Sequence, residues 1–233
     1  ASLNAAESGT IVVLHACCHN PTGYDITPAQ WDQVIAVVKA RGLTPFLDMA
    51  YQGFGNGIAE DGAVIQKFVA AGLAFFVSTS FSKSFSLYGE RVGALSVLCQ
   101  SKEEADRVLS QLKIAIRTNY SNPPIHGGAV VAAVLNTPEL RALWEKELGE
   151  MRVRIKAMRS KLVDGLKAAG VKQDMSFMTE QIGMFSYSGL SKEQMLRLRS
   201  EFGVYGTDTG RICVAALNSK NIDYVCQAIA KVI

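Results

Sequence analysis

Several features are scarce in this chain, and each scarcity closes off a class of function. No Cys-x-x-Cys pair occurs: Cys17 and Cys18 adjoin, while Cys99, Cys213 and Cys226 stand alone. Such cysteines read as small buried hydrophobes of a reducing compartment, not as a disulfide framework. The three histidines, His15, His19 and His126, never place a second ligand at a helical offset on one element, so no metal is expected. The longest apolar run, Ala129 to Leu135, is far too short to cross a bilayer, and the N-terminal residues carry neither a basic region nor an apolar signal core. A cytoplasmic protein without a membrane partner is expected. Charge of one sign is lacking too, since 24 basic and 21 acidic residues leave a net +3. No stretch interleaves Lys or Arg with aromatics, so nucleic acid is not an expected partner. Repeats and low-complexity tracts are absent.

What remains is an ordinary globular composition, 48% hydrophobic and 19% charged over 233 residues, enough for one large domain or two small ones. Thr10 to His15 is an apolar, β-branched run and reads as a buried strand. Thr27-Pro28-Ala29-Gln30 follows with an N-cap, a proline at the first helical position and a capping-box glutamine, predicting a helix to about Arg41, stopped by Gly42. Leu43 to Asp48, Ala74 to Ser78 and Val92 to Cys99 read as further strands, and Asp61 to Ala71 as a helix between the first two of these. Strand alternating with helix predicts crossovers and a largely parallel α/β sheet covered on both faces. Only the loop Thr79 to Arg91 joins two strands without a helix.

After Cys99 the pattern becomes helical: Ser101 to Thr118, Ile125 to Asn136, and an amphipathic segment from Thr137 to about Ala169 that is long enough to link two domains. A strand at Gly183 to Ser188, a helix at Ser191 to Phe202, a strand at Arg211 to Leu217 and a helix at Ile222 to Val232 then predict a small α+β domain. The expected division is 1–150 and 151–233, the first carrying the start of the long helix.

Chemistry gathers at the strand ends. Lys83 stands in Ser80-Phe81-Ser82-Lys83, where an apolar strand gives way to a loop, a place suited to an amine that attacks a carbonyl. Asp48-Met49-Ala50-Tyr51 closes the second strand and His19-Asn20-Pro21-Thr22-Gly23 follows the first. In isolation each piece has a plain reading: a solvated loop, a helix cap, a proline-glycine turn. In open parallel sheets, however, ligands bind beyond the carboxyl ends of the strands, and all these groups fall on that edge. One amine, one carboxylate, one phenol, one amide and one arginine together suit pyridoxal phosphate chemistry.

The stretches His15 to Gly23, Asp48 to Phe54, Ser80 to Lys83, Glu90-Arg91-Val92-Gly93, Arg117 to Pro124 and Thr209-Gly210-Arg211 closely resemble the aspartate and aromatic amino acid aminotransferases, pyridoxal phosphate enzymes of fold type I. The resemblance runs the length of the chain. It implies ping-pong, Schiff-base transamination between aspartate or an aromatic amino acid and a 2-oxo acid such as 2-oxoglutarate. Lys83 would carry the cofactor and shuttle the substrate proton. Asp48 would pair with the pyridine nitrogen, with His15 behind it, and Tyr51 and Asn20 would hydrogen-bond the ring's phenolic oxygen. Ser80 and Arg91 would bind the phosphate. Arg211 would clamp the substrate α-carboxylate, and Arg117 would reach a second carboxylate across a homodimer. Two departures accompany the likeness. Ser84 and Gly89 stand where such enzymes often have asparagine, and the chain opens at a point that resembles the middle of the large domain, so a C-terminal fragment of a longer enzyme is expected. A decarboxylase or lyase on the same scaffold, or a catalytically silent fragment, are the other classes these residues leave open.

Overall fold

The computed structural model describes residues 2–233, which divide into two compact units. The first comprises 2–17, 26–52 and 58–146; the second comprises 18–25, 53–57 and 147–233. In the first unit, α1 (Ser2–Ala5), β1 (Ile11–His15), α2 (Pro28–Arg41), β2 (Thr44–Met49), α3 (Ile58–Ala70), β3 (Phe75–Ser80) and β4 (Gly93–Leu98) follow one another. The sheet order is β1-β2-β3-β4, with the first two pairings parallel and the last antiparallel. The helix-free loop read from the sequence therefore marks the reversal in strand direction. No crossover is needed between β3 and β4, because an antiparallel neighbour can be reached by a loop alone.

Helix α2 begins and ends as its residues dictate. The Thr27 hydroxyl accepts from the Gln30 N–H, the Gln30 side chain accepts from the Thr27 N–H, and Gly42 closes the helix in the left-handed region at φ 62°. There the glycine avoids the Cβ strain any other residue would meet. Trp31 and Ile35 from α2 and Val64 and Phe68 from α3 pack on Leu47, Met49, Phe75 and Val77 of the sheet. Phe68 meets Trp31 edge-on at 5.9 Å and Phe75 at 5.5 Å between ring centroids. Each such side chain, fully buried, contributes about 2 kcal/mol before entropy is counted.

The two faces of the sheet differ among the described residues. Strand order runs monotonically from β1 to β3, and crossovers of one hand stepping in one direction place their helices on one face. The opposite face keeps Ile11 60% and Val13 63% exposed on β1, the border strand, and β4 is exposed along most of its length. Strand alternation assigns His15, Asp48 and Ser78 to that open face, two or more residues along from Val13, Phe46 and Phe76.

The remaining helices of this unit are α4 (Lys102–Asn119), capped by the Ser101 hydroxyl and burying none of its residues, α5 (Ile125–Asn136), and the first part of α6 (Pro138–Ala168). The second unit holds the remainder of α6, β5 (Phe185–Tyr187), α7 (Lys192–Phe202), β6 (Arg211–Cys213) and α8 (Ile222–Val232), with β5 and β6 antiparallel. Its strands are shorter than the sequence pattern implied, because β6 passes after Cys213 into a 3₁₀ turn, Val214–Ala216. Leu162, Leu166, Met195, Leu198 and Ile229 form its interior.

Candidate active site

In the first unit the candidate residues lie at the carboxyl ends of three adjacent strands. His15, Asp48 and Ser78 are lateral neighbours in register, and the Ser78 hydroxyl donates to Asp48 Oδ1 at 2.7 Å. Among the described residues that is the one side-chain partner of Asp48, so its second oxygen can accept from a ligand. Two residues past β2, Tyr51 is 6% exposed, and the Lys83 ammonium stands 4.7 Å from the centre of its ring. Lys83 is half-buried and makes no ion pair among the described residues. An amine against an aromatic face, without a carboxylate to claim it, stays available for reaction.

The loop that presents Lys83 is held by its neighbours. Phe81 N–H donates to Val92 O, Ser86 N–H to Lys83 O, and the Trp144 indole to Ser84 O at 2.6 Å. Phe85 lies between Phe81, edge-on at 5.4 Å, and Trp144, stacked at 4.5 Å. The close pairing of β4 with β3 depends on Gly93, where a Cβ would stand 2.7 Å from Thr79 O. Ser80, opposite Gly93, accepts from the Ser82 N–H and borders a cavity of about 330 Å³ whose polar lining includes Gln52, Thr79, Ser84, Asn136 and Arg141.

Two candidate arginines of this unit remain on its surface. Arg91, left-handed at φ 53°, donates to Tyr88 O at 3.0 Å. Arg117, in the last turn of α4, donates to the Ser121 hydroxyl at 2.6 Å. The structure gives neither a contact with Lys83, Asp48 or Ser80.

The second unit brings the other pair together directly. Arg211 Nη1 donates to Asn20 Oδ1 at 2.8 Å, and its guanidinium carbon lies 4.5 Å above the Phe185 ring centre. Asn20 is carried on a loop fixed by Asp25, whose two carboxylate oxygens accept from the Cys18 and His19 N–H groups at 2.7 and 2.8 Å. His19 Nδ1 bonds the Thr22 hydroxyl at 2.7 Å, and the Asn20-Pro21 peptide is cis. Gly23 sits so close to Gln181 that a Cβ would fall 2.8 Å from the Gln181 Cβ, and its carbonyl accepts from Ile182 N–H. Asp25 and Phe185 lie outside the sequence motifs. Asp25 carried a weak signal, an acidic residue just beyond the Asn-Pro-Thr-Gly turn; Phe185 carried none beyond its strand.

With this geometry in hand, the likeness to known proteins is specific. A family model described as aminotransferase class I and II matches residues 1–229. An aspartate aminotransferase of Pseudomonas aeruginosa is 62% identical over 231 residues, covering 99% of this chain and 58% of the relative. An aromatic-amino-acid aminotransferase of Escherichia coli is 55% identical over 232 residues, covering 100% of this chain and 58% of the relative. Among solved structures, an aromatic-amino-acid aminotransferase from Burkholderia pseudomallei, covalently bound to pyridoxal phosphate, superposes with a TM-score of 0.97 at 68% identity, over 99% of this chain and 58% of that one. The chain thus spans a little over half the length of the relatives it matches, and its mostly parallel α/β sheet with flanking helices is their architecture. By sequence and by fold it belongs to the class I and II aminotransferases.

Proposed function

We propose that the protein of which this chain forms part transfers an amino group between an amino acid, aspartate or aromatic, and a 2-oxo acid such as 2-oxoglutarate, using pyridoxal 5'-phosphate. The observation that carries the reading is Lys83, held against the Tyr51 ring and unclaimed by any acid among the described residues, at the same strand ends as Asp48. The donor set fits the cofactor: a carboxylate with one free oxygen for a protonated ring nitrogen, a phenol and an amide for the ring oxygen, and a serine and an arginine for the phosphate. Bound there, pyridoxal phosphate would supply the electron sink that acidifies the substrate α-hydrogen.

This chain's residues supply the rest. Asp48, oriented by Ser78 and flanked by His15, would hold the proton on the ring nitrogen. Lys83 would take up and return the substrate α-proton, the general acid-base role suited to a mobile amine. Tyr51 and Asn20 would donate to the ring oxygen, Ser80 and Arg91 would bind phosphate, and Arg211 would receive the α-carboxylate in its planar fork. Arg117, facing outward from α4, serves the second carboxylate of a dicarboxylic substrate bound to the other subunit of a homodimer. Residues 1–150 act as the cofactor-binding part and 151–233 as the smaller domain, in a cytoplasmic enzyme; among the described residues no helix is long and apolar enough to cross a membrane.

The test is to incubate the enzyme with L-aspartate or L-phenylalanine and 2-oxoglutarate, follow glutamate formation, and map the peptide that borohydride joins to the cofactor. Glutamate formation with the label on Lys83 is expected. A label elsewhere, or normal turnover by Lys83→Ala, would refute the assignment.

A further inference from the structure

Arg159, on the part of α6 within the second unit, is 2% exposed, and no carboxylate pairs with it among the described residues. Its Nε donates to the Ser186 hydroxyl at 3.2 Å, and its Nη2 donates to Gly183 O at 2.7 Å and Phe185 O at 3.2 Å. Nη1 is buried with no hydrogen-bond partner among the described residues. Burial pulls the guanidinium's pKa down from its ordinary value, and the charge of Cys18 partly opposes this. A buried cation held by neutral groups is a costly way to fill space, since an apolar side chain of similar volume usually serves stability as well or better. Its presence calls for a task that needs directed donors.

The place where those donors converge suggests the task. Both carbonyls accept from the one Nη2, so a single guanidinium holds the turn leading into β5, at Gly183, together with the first residue of β5, Phe185. The Phe185 ring is the surface beneath Arg211. Gly183, at φ 86°, also lies close against the Asn20 loop: a Cβ there would stand 2.7 Å from the Cys18 Cβ. Asn20 is the other group against Arg211. Both groups that orient the Arg211 fork therefore rest on backbone that Arg159 holds. We infer that Arg159 is a positioning residue for carboxylate recognition, setting affinity at Arg211 through the Phe185 ring.

This inference rests on the reading of Arg211 as the α-carboxylate clamp, and its test separates the two. In the assembled enzyme, Arg159→Met, Arg159→Lys, Phe185→Leu and the double variant Arg159→Met/Phe185→Leu are compared by calorimetric Kd for succinate, an unreactive dicarboxylate, by KM and kcat for L-aspartate, and by thermal unfolding. Arg159→Met should raise the succinate Kd and the KM roughly tenfold, the scale of losing a well-placed cation–aromatic contact. KM should rise more than kcat falls. The double variant should be no weaker than the weaker single variant, since both changes act through one ring. Arg159→Lys, which keeps the charge on a single donor nitrogen, should recover part of the loss. An unchanged Kd in folded Arg159→Met, or losses that multiply in the double variant, would overturn the inference while leaving the transaminase reading intact. Should Arg159→Met fail to fold, Arg159→Lys carries the cycle: its Kd must rise at least threefold, roughly the smallest such contact, and that rise must vanish beside Phe185→Leu. No succinate binding by the unmodified enzyme would sink both readings; succinate binding without transamination would sink the functional reading alone.

Discussion

The two units treat their candidate substrate- and cofactor-binding arginines in opposite ways. In the first, Arg91 and Arg117 are exposed, each held by one local partner three or four residues away in the chain. In the second, Arg211 is braced on one side by Asn20, 191 residues distant in sequence, and on its face by Phe185, with the buried Arg159 behind that strand. The lesson concerns where orientation is fixed in advance. A group braced by partners of its own unit is ready for a ligand before the ligand arrives, whereas one tied only to its own turn must be drawn into place, and ordering a long side chain costs about 0.5–1.5 kcal/mol at that moment.

That contrast yields a ranked set of tests, all in the assembled enzyme. The largest effect belongs to the strand ends of the first unit. Lys83→Ala should lower kcat about 10⁴-fold, the upper range for a positioned acid-base group, without unfolding the protein. Single-turnover rates with L-aspartate measure it, and a loss under tenfold would mean that Lys83 is a bystander. Asp48→Ala comes next at about a thousandfold in rate, or roughly 4 kcal/mol, with Asp48→Glu far milder. Small and equal effects from both would make Asp48 a structural cap.

The arginines then test the contrast itself. Arg117→Leu should cost dicarboxylic substrates about 3 kcal/mol, the scale for leaving a buried charge without its partner, and leave phenylalanine nearly unaffected. Arg211→Lys loses the planar fork and should weaken both substrates alike, by about a factor of ten. If kcat/KM fell uniformly on changing Arg117, the division between the local and the braced arginine would collapse.

The smallest effect is one of pH. Burial, with a lesser push from Asp223, raises the Cys226 thiol to about 11. Because the folded state holds that proton more tightly than the unfolded chain, the stabilisation is complete below the ordinary thiol pKa of about 8.5 and is lost as pH rises from there through 11. Alkylation at pH 8 should therefore mark exposed Cys213 well before Cys226, and Cys226→Ala should flatten the alkaline fall in thermal stability. Equal labelling of the two thiols would show the second unit to be looser than its packing implies.

How much of this could be read from the sequence depended on distance along the chain. The capping box at Thr27 and Gln30 and the left-handed stop at Gly42 lie within one helix, and their residue types announce them. Lys83, Asp48 and Tyr51 were legible because strand ends are legible, and their order matched a known family. The braces were not. Arg159 meets Phe185 across 26 residues and Arg211 meets Asn20 across 191, and nothing local distinguishes Arg159 from the other basic residues along α6. Alternation, for its part, shows which residues share a face of the sheet, not what lies against it.

The border strand β1 has a practical consequence for anyone handling this polypeptide. Among the described residues β1 pairs with β2 on one side only, and Ile11 and Val13 on it are exposed. Such a margin is a template for adding further strands. For the polypeptide handled on its own, Val13→Lys should lower self-association, read by light scattering at rising concentration.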